Sequence, residues 1–168
     1  MKLESERLIV MPLTLEQMKL YILPDPALEQ ELGLIPDGRV VPERVKEVIE
    51  TIVLPQLNLA KEQYVFYTFW TIILKDEKKM VGDTMIKGLP DEQGTIEIGY
   101  GTYDKHQGNG YMTEAVGLLS DWALSHTCVK KVKAETRKEN IASQKILKSN
   151  GFVIGTEDHE FIHWHLSK

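Results

Sequence analysis

The chain contains a single cysteine, Cys128, so it cannot close a disulfide within itself, and a Cys-rich metal site is excluded. It has no long apolar run. The richest stretch, Val65–Leu74, falls well short of the about 20 residues that a membrane-spanning helix needs. It has no excess of positive charge: 20 Lys and Arg against 25 Asp and Glu give a net charge of −5, which argues against a nucleic-acid partner. Repeats, low-complexity tracts and Gly/Ser/Pro linkers are missing. Met1–Arg7 carries charges where a secretory leader needs an apolar segment. What is present is 168 residues, 42% hydrophobic and 27% charged, the composition of an ordinary folded protein. The expectation is one cytoplasmic domain over residues 1–168 with no membrane partner.

The hydrophobic periodicity supplies the elements. Residues 7–12 read as a strand, and Leu15–Ile22 has helical spacing. Residues 25–41 resist assignment, apart from a helical turn or two over Leu28–Leu34. Pro42 suits a helix start, Val45, Val48, Ile49 and Ile52 form its stripe, and Pro55 should end or kink it near Leu54. Tyr64–Lys75 is aromatic and β-branched on both alternating faces, the pattern of a central strand covered on both sides. Strands over 80–86 and 95–103 complete an antiparallel meander. A glycine loop at 104–110 then leads into a helix from Tyr111 to about His126. A strand at 131–136, a helix at 141–150 closed by Gly151, and a hairpin of 152–156 with 160–166 follow. The order predicts an α+β, or mixed α/β, fold. Its central sheet is mostly antiparallel and flanked by helices, with one parallel β-α-β crossover over 95–136.

The glycine loop carries the first chemical signal. Lys105-His106-Gln107-Gly108-Asn109-Gly110-Tyr111 stands between a strand and a helix. The first N–H groups of a helix lack internal partners and lie at its positive end, and glycines let phosphates approach them. A plain turn into a helix would look the same. A Walker A loop does not fit, because Tyr111-Met112 follows Gly110 where Lys-Ser/Thr is required. A dinucleotide fingerprint does not fit either, because Thr113 stands where the third glycine belongs.

The segment Lys105-x-x-Gly108-x-Gly110 resembles the acetyl-CoA pyrophosphate loop of the GNAT superfamily of N-acetyltransferases, Gln/Arg-x-x-Gly-x-Gly/Ala. Gly108–Ala115 and the opening Glu6–Leu13 are similar to the branch around ribosomal-protein alanine N-acetyltransferases. Ile96–Tyr100 resembles the strand before the loop, and Asn140–Ser143 with Gly151-Phe152 resembles the second cofactor segment. The resemblance covers most of residues 3–166, strongly from 94 to 155 and thinly from 14 to 60. It implies acetyl-CoA as cosubstrate, without a metal, and direct acetyl transfer to a primary amine, of a small molecule or a protein N-terminus. It implies cofactor contacts from Lys105, Gln107, Gly108, Asn109, Gly110, Tyr111 and Met112, from Asn140, and from Lys145 near the nucleotide phosphates.

Glu97 is the expected general base. It shares a strand face with Gly99 and Gly101, which leave room for a ligand, whereas Ile96, Ile98 and Tyr100 face the other way. A solvated strand glutamate is the ordinary alternative. The family's usual acid is a tyrosine seven residues after the asparagine, and here that position is Leu147. The branch resemblance points instead to Ser143, whose hydroxyl is a weak acid suited to donating a hydrogen bond to sulfur. Asn140 is also a good helix N-cap. His163 and His165 share a strand face without a third ligand, so no metal site is expected. Cys128 reads as a small buried apolar residue. The C-terminal strand, with Phe161 and Trp164, would pair with a second copy to give a homodimer if it lay at an edge. A non-catalytic acyl-CoA-binding or regulatory module is the alternative that Leu147 and Lys105 keep open.

Overall fold

A computed structural model describes residues 1–168. All eight strands join one sheet in the order β1-β2-β3-β4-β5-β6-β8-β7. They are β1 (Leu3–Glu4), β2 (Leu8–Pro12), β3 (Phe69–Leu74), β4 (Lys79–Ile86), β5 (Thr95–Thr102), β6 (Lys131–Arg137), β7 (Val153–Glu157) and β8 (Phe161–Ser167). Every neighbouring pair is antiparallel except β5 and β6, which run parallel around the crossover helix α5 (Tyr111–Ser125). The expected mixed, mostly antiparallel sheet is therefore observed.

Two cores lie on opposite faces. Under α5 and α6 (Ile141–Ser149), Val10, Trp70, Ile96, Ile98, Ala115, Leu119, Val132 and Leu147 pack together. On the other face, Leu13, Met18, Leu28, Ile49, Leu57, Phe69 and Ile73 pack beneath α1 (Leu15–Tyr21), α2 (Ala27–Glu31), α3 (Glu43–Val48) and α4 (Leu54–Ala60). Thr14 caps α1 in a reciprocal pair with Gln17, at 3.2 and 3.0 Å. β3 is buried along its whole length, as its two apolar faces require.

Several boundaries differ from the sequence reading. The strand expected from Tyr64 begins only at Phe69, because Lys61–Phe66 coils into a 3₁₀ turn. Its apolar residues pack without strand geometry, and Trp70 Nε1 donates to the Val65 carbonyl at 2.9 Å. Pro55 does not end its helix. A π-helical turn over Ile49–Val53, in which Leu54 N–H bonds the Ile49 carbonyl, shifts the ladder and places Pro55 in the first turn of α4, where no donor is missed. Cys128 is exposed rather than buried. β8 is not an edge: it lies between β6 and β7, Trp164 is buried, and Trp164 Nε1 donates to Thr136 Oγ1 at 2.9 Å. The edge is β7, so the pairing surface expected at Phe161 and Trp164 is already used within the chain. No helix is long and apolar enough to cross a membrane.

Candidate active site

The parallel pairing of β5 with β6 covers Thr95–Glu97 against Lys131–Lys133 and goes no further. Beyond it the two strands part, although β4 continues to pair with β5 up to Thr102 and β8 with β6 up to Arg137. The opening therefore presents β5 backbone groups without a strand partner, a ready edge for an extended amide-bearing ligand.

A cavity of 340 Å³ fills this opening. The end of β5, the glycine loop and the first turns of α5 and α6 line it, bringing together Gln107, Gly108, Gly110, Tyr111, Met112, Asn140 and Ser143. Gly108 and Gly110 have φ of +78° and +76°, a region that strains other residues. Gly110 precedes α5 without a side-chain cap, and the first intrahelical bond is Glu114 N–H to the Gly110 carbonyl at 3.2 Å. The N–H groups of the first turn thus face the cavity unpaired, at the positive end of a 15-residue helix. Arg7, at the entry to β2, fixes this geometry from outside. Its guanidinium donates to Glu114 Oε2 at 2.9 Å and to the Asn109 carbonyl at 3.1 Å, and lies 4.9 Å from the centre of the Tyr111 ring. Arg7→Ala is expected to raise the KM for acetyl-CoA about fivefold with kcat little changed, measured by steady-state kinetics.

At the other wall, Asn140 Oδ1 accepts the Ser143 N–H at 3.0 Å, so the cap expected from sequence is formed. Its side-chain N–H₂ makes no bond within the protein and remains available to a ligand. Ser143 Oγ lies 2.7 Å from the Tyr100 hydroxyl. Burial pushes Tyr100 up to about 12, so this hydroxyl stays protonated. Leu147 is fully buried in the core. The hydroxyl that approaches the start of α6 therefore comes from β5, not from α6 itself.

A second cavity of 540 Å³ opens on the opposite side of Tyr100 and Gly101, toward α1 and residues 35–42. The two cavities share Tyr100, Gly101, Thr102 and His106, so a molecule in either would meet the other at the end of β5.

The Acetyltransferase (GNAT) domain family matches residues 7–153. The chain belongs to the GNAT acetyltransferase family. Among curated relatives it is 41% identical over 95 residues to an uncharacterized N-acetyltransferase, YjdG, of Bacillus subtilis, a match spanning 56% of each chain. The chain thus spans little more than half the length of that relative. Among solved structures it resembles a ribosomal-protein-S5-alanine acetyltransferase from Vibrio fischeri, with a TM-score of 0.72 and 18% identity, covering 99% of this chain and 96% of the other. It also resembles the RimL ribosomal L7/L12 α-N-protein acetyltransferase in complex with coenzyme A, with a TM-score of 0.71 and 14% identity, covering 99% and 98%. At these identities the structural likeness concerns the fold.

Within this GNAT frame, four residues are placed differently from expectation. Glu97 lines neither cavity. It is clamped by Lys87 and by Lys133 at 3.2 Å. Burial pushes its carboxyl up, but the two ammonium groups outweigh that and hold it below its ordinary value. The glycines on its face do open a cavity, yet at Gly99–Gly101, with Gly101 four residues and roughly 13 Å further along the strand. Glu97→Gln is accordingly expected to leave turnover within about threefold of wild type, measured as kcat at saturating acetyl-CoA. Lys105 does not line the smaller cavity: its Nζ donates to the Asp37 carbonyl at 2.8 Å. Asn109 folds its amide back onto the His106 and Gln107 carbonyls, both at 3.1 Å, and so shapes the loop rather than lining the cavity. Lys145 stands exposed on α6 outside the cavity, the ordinary state of a helix lysine.

The sequence reading missed Asp83, which is 7% exposed on β4 and lines the larger cavity. Its Oδ2 accepts from the Tyr21 hydroxyl at 2.7 Å and the Tyr103 hydroxyl at 2.5 Å. Its Oδ1 receives no hydrogen bond from the protein. Burial pushes the carboxyl up, against the lowering effect of the two tyrosine bonds, Arg39 and the neighbouring Thr71. The Thr71 hydroxyl lies across the ladder but forms no bond of proper geometry. A carboxyl raised on folding stabilises the native state below its unfolded pKa of about 3.9, and that stability is lost as pH rises through the raised folded value. Asp83→Asn is therefore expected to raise the thermal midpoint of the free protein at pH 7–8 and to lose that gain toward pH 4. Tyr21 and Tyr103, themselves pushed well above 10 by burial, stay donors throughout.

Proposed function

We propose that the protein transfers the acetyl group of acetyl-CoA directly to a primary amine. The observation that carries this reading is the convergence of the unpaired β5 edge, the free first turn of α5, and the Tyr100–Ser143 hydroxyl pair in one opening. The N–H groups of Tyr111, Met112 and their neighbours receive the pyrophosphate. The amides of the pantetheine arm pair along β5, and the Asn140 amide contacts the arm from α6.

The amine enters from the larger cavity. Glu97 is held elsewhere, so the ammonium loses its proton to solvent in that cavity before attack. The nitrogen lone pair then adds to the thioester carbonyl carbon. Backbone N–H groups of β5 beyond Glu97 stabilise the oxyanion, because they are fixed in place and need no reorganisation. As the tetrahedral intermediate collapses, the C–S bond breaks and the departing thiolate takes a proton from Ser143 Oγ, which recovers one from the Tyr100 hydroxyl, while the nitrogen gives up its extra proton to solvent and solvent returns one to Tyr100, leaving a neutral amide and the CoA thiol. No cysteine acyl intermediate is required. Cys128 follows α5 and lines neither cavity.

The test is twofold. CoA is expected to raise the melting temperature more than ATP or NAD does, since only CoA engages both walls. Free thiol is expected to appear from acetyl-CoA only when an amine acceptor is added. Tight CoA binding without thiol release for any amine would identify a non-catalytic acyl-CoA-binding module instead.

A further inference from the structure

Residues 36–41, between α2 and α3, make no backbone–backbone hydrogen bond. On one side Ile35 N–H bonds the Lys78 carbonyl at 2.8 Å, and on the other the Pro42 carbonyl accepts from Val45 N–H at 2.9 Å. The strap between them borders the larger cavity with Asp37, Gly38, Arg39 and Val40, and Val40 is 82% exposed. A stretch without backbone bonds belongs to the low-stability end of a fold, so side chains set its position.

Two side chains fasten the strap. Arg39 ties it to α1 and α2: the guanidinium pairs with Glu29 at 3.0 and 3.2 Å, donates to the Tyr21 carbonyl at 2.7 Å and lies 4.5 Å from the centre of the Tyr21 ring. Arg39 and Glu29 are almost fully buried in this pair, so the anchor belongs to the fold itself. Asp37 is the other anchor, and its partners stand on the glycine loop. Its Oδ2 lies 3.0 Å from His106 Nε2, its Oδ1 lies 3.7 Å from Lys105 Nζ, and its carbonyl accepts from the same Nζ at 2.8 Å. Desolvation pushes the Asp37 carboxyl up, but the charges of Lys105 and Lys79 and the His106 bond outweigh that and hold it below its ordinary value. Gly38, at φ +69°, turns the chain between the two anchors.

The loop end of this second anchor reaches the smaller cavity. His106 lines both cavities, and its carbonyl accepts from the Asn109 amide at 3.1 Å within the turn that leads to Gly110. Asp37 itself borders only the larger one. A ligand that fixes the backbone of residues 108–112 therefore restrains Lys105 and His106, and the strap then loses less freedom when Asp37 engages them.

We infer that Asp37 is a positioning residue that fastens the 36–41 strap to the glycine loop, so that coenzyme binding and the holding of the acceptor-side rim favour one another. This rests on the acetyl-CoA reading above and adds to it a coupling between the two cavities. Linkage makes the coupling reciprocal: a strap that cannot engage the loop weakens the coenzyme.

Calorimetric titration with CoA and limited proteolysis with thermolysin, both on the full chain, test this. Thermolysin cuts before exposed apolar residues such as Val40, and cleavage of a native protein follows the population of locally opened strap. Saturating CoA is expected to slow cleavage at Val40 about fivefold in the wild type and less than about twofold in Asp37→Ala. Asp37→Ala should also weaken CoA binding about fivefold, although residue 37 does not line the smaller cavity. In an Asp37→Ala/His106→Ala cycle, the double variant should bind CoA within about twofold of His106→Ala alone. Asp37 lies outside every helix and strand, so the thermal midpoint should stay within a few degrees, and the wild-type cleavage measurement stands without any variant. Cleavage at Val40 that CoA leaves unchanged or speeds up in the wild type, an unchanged CoA Kd in Asp37→Ala, or additive losses in the cycle would each overturn the assignment. A wild-type protein that fails to bind CoA would instead overturn the acetyl-CoA reading beneath it.

Discussion

Tyr100→Phe lowers kcat by about 30-fold while leaving the KM for acetyl-CoA nearly unchanged. The hydroxyl does not help to hold the cofactor: its partner is Ser143 Oγ at 2.7 Å, and burial holds it at about 12. Positioned acids contribute roughly 100- to 10,000-fold. A thiolate leaves more readily than most groups, so the lower part of that range applies, further reduced because Ser143 remains as a donor. Ser143→Ala should lower kcat by a comparable factor, and the double variant should cost little more than either single one, since the two hydroxyls act in series. Additive losses would show that they act separately. The phenylalanine ring keeps the packing of Tyr100, so thermal midpoints should match within a few degrees.

Gly110→Val abolishes acetyl-CoA binding at ordinary concentrations. Two effects coincide at this residue. Its φ of +76° is strained for a β-branched side chain, so the turn into α5 must shift. The same turn holds the free N–H groups to which the proposed reading assigns the pyrophosphate. Losing two such charge-assisted bonds costs about 3 kcal/mol, on the order of a 100-fold weaker Kd. The fold itself should survive, because an added Cβ would meet only Arg7 Nη2, at 3.7 Å. Calorimetric titration of the variant with CoA checks the loss, and circular dichroism checks that α5 remains.

The glycine-loop half of this candidate site was legible in the sequence because its elements are local. A strand, two glycines and a helix start are adjacent in the chain, and Asn140 caps the helix beside it for reasons that Asn at an N-terminus announces. The order of strands was likewise legible from alternation. What escaped was set by tertiary partners. Glu97 and the two glycines share a face as expected, but Lys87 on one side and Lys133 on the other claim the carboxylate, and no period in the sequence reveals a cross-strand ion pair. Tyr100 faces away from Glu97, as alternation predicts, and its hydroxyl reaches Ser143 because β5 and β6 separate just beyond Glu97. Pro55 reads as a residue that ends or kinks its helix, and a π turn takes it up without ending the helix. Asp83 did leave a signal. It is the only charged residue inside Met80–Ile86, a strand whose other residues are apolar, glycine or threonine. A lone carboxylate in such a strand is either paired or reserved for a ligand.

Acetyl-CoA carrying a radiolabel in its acetyl group tests the central claim most directly, with wild-type protein and a range of primary amines from small molecules to peptides. The account predicts one labelled acetamide for each thiol released, with no label retained on the protein after denaturation. Label left on coenzyme A with every amine, or recovered on the protein or only as free acetate, would contradict direct transfer.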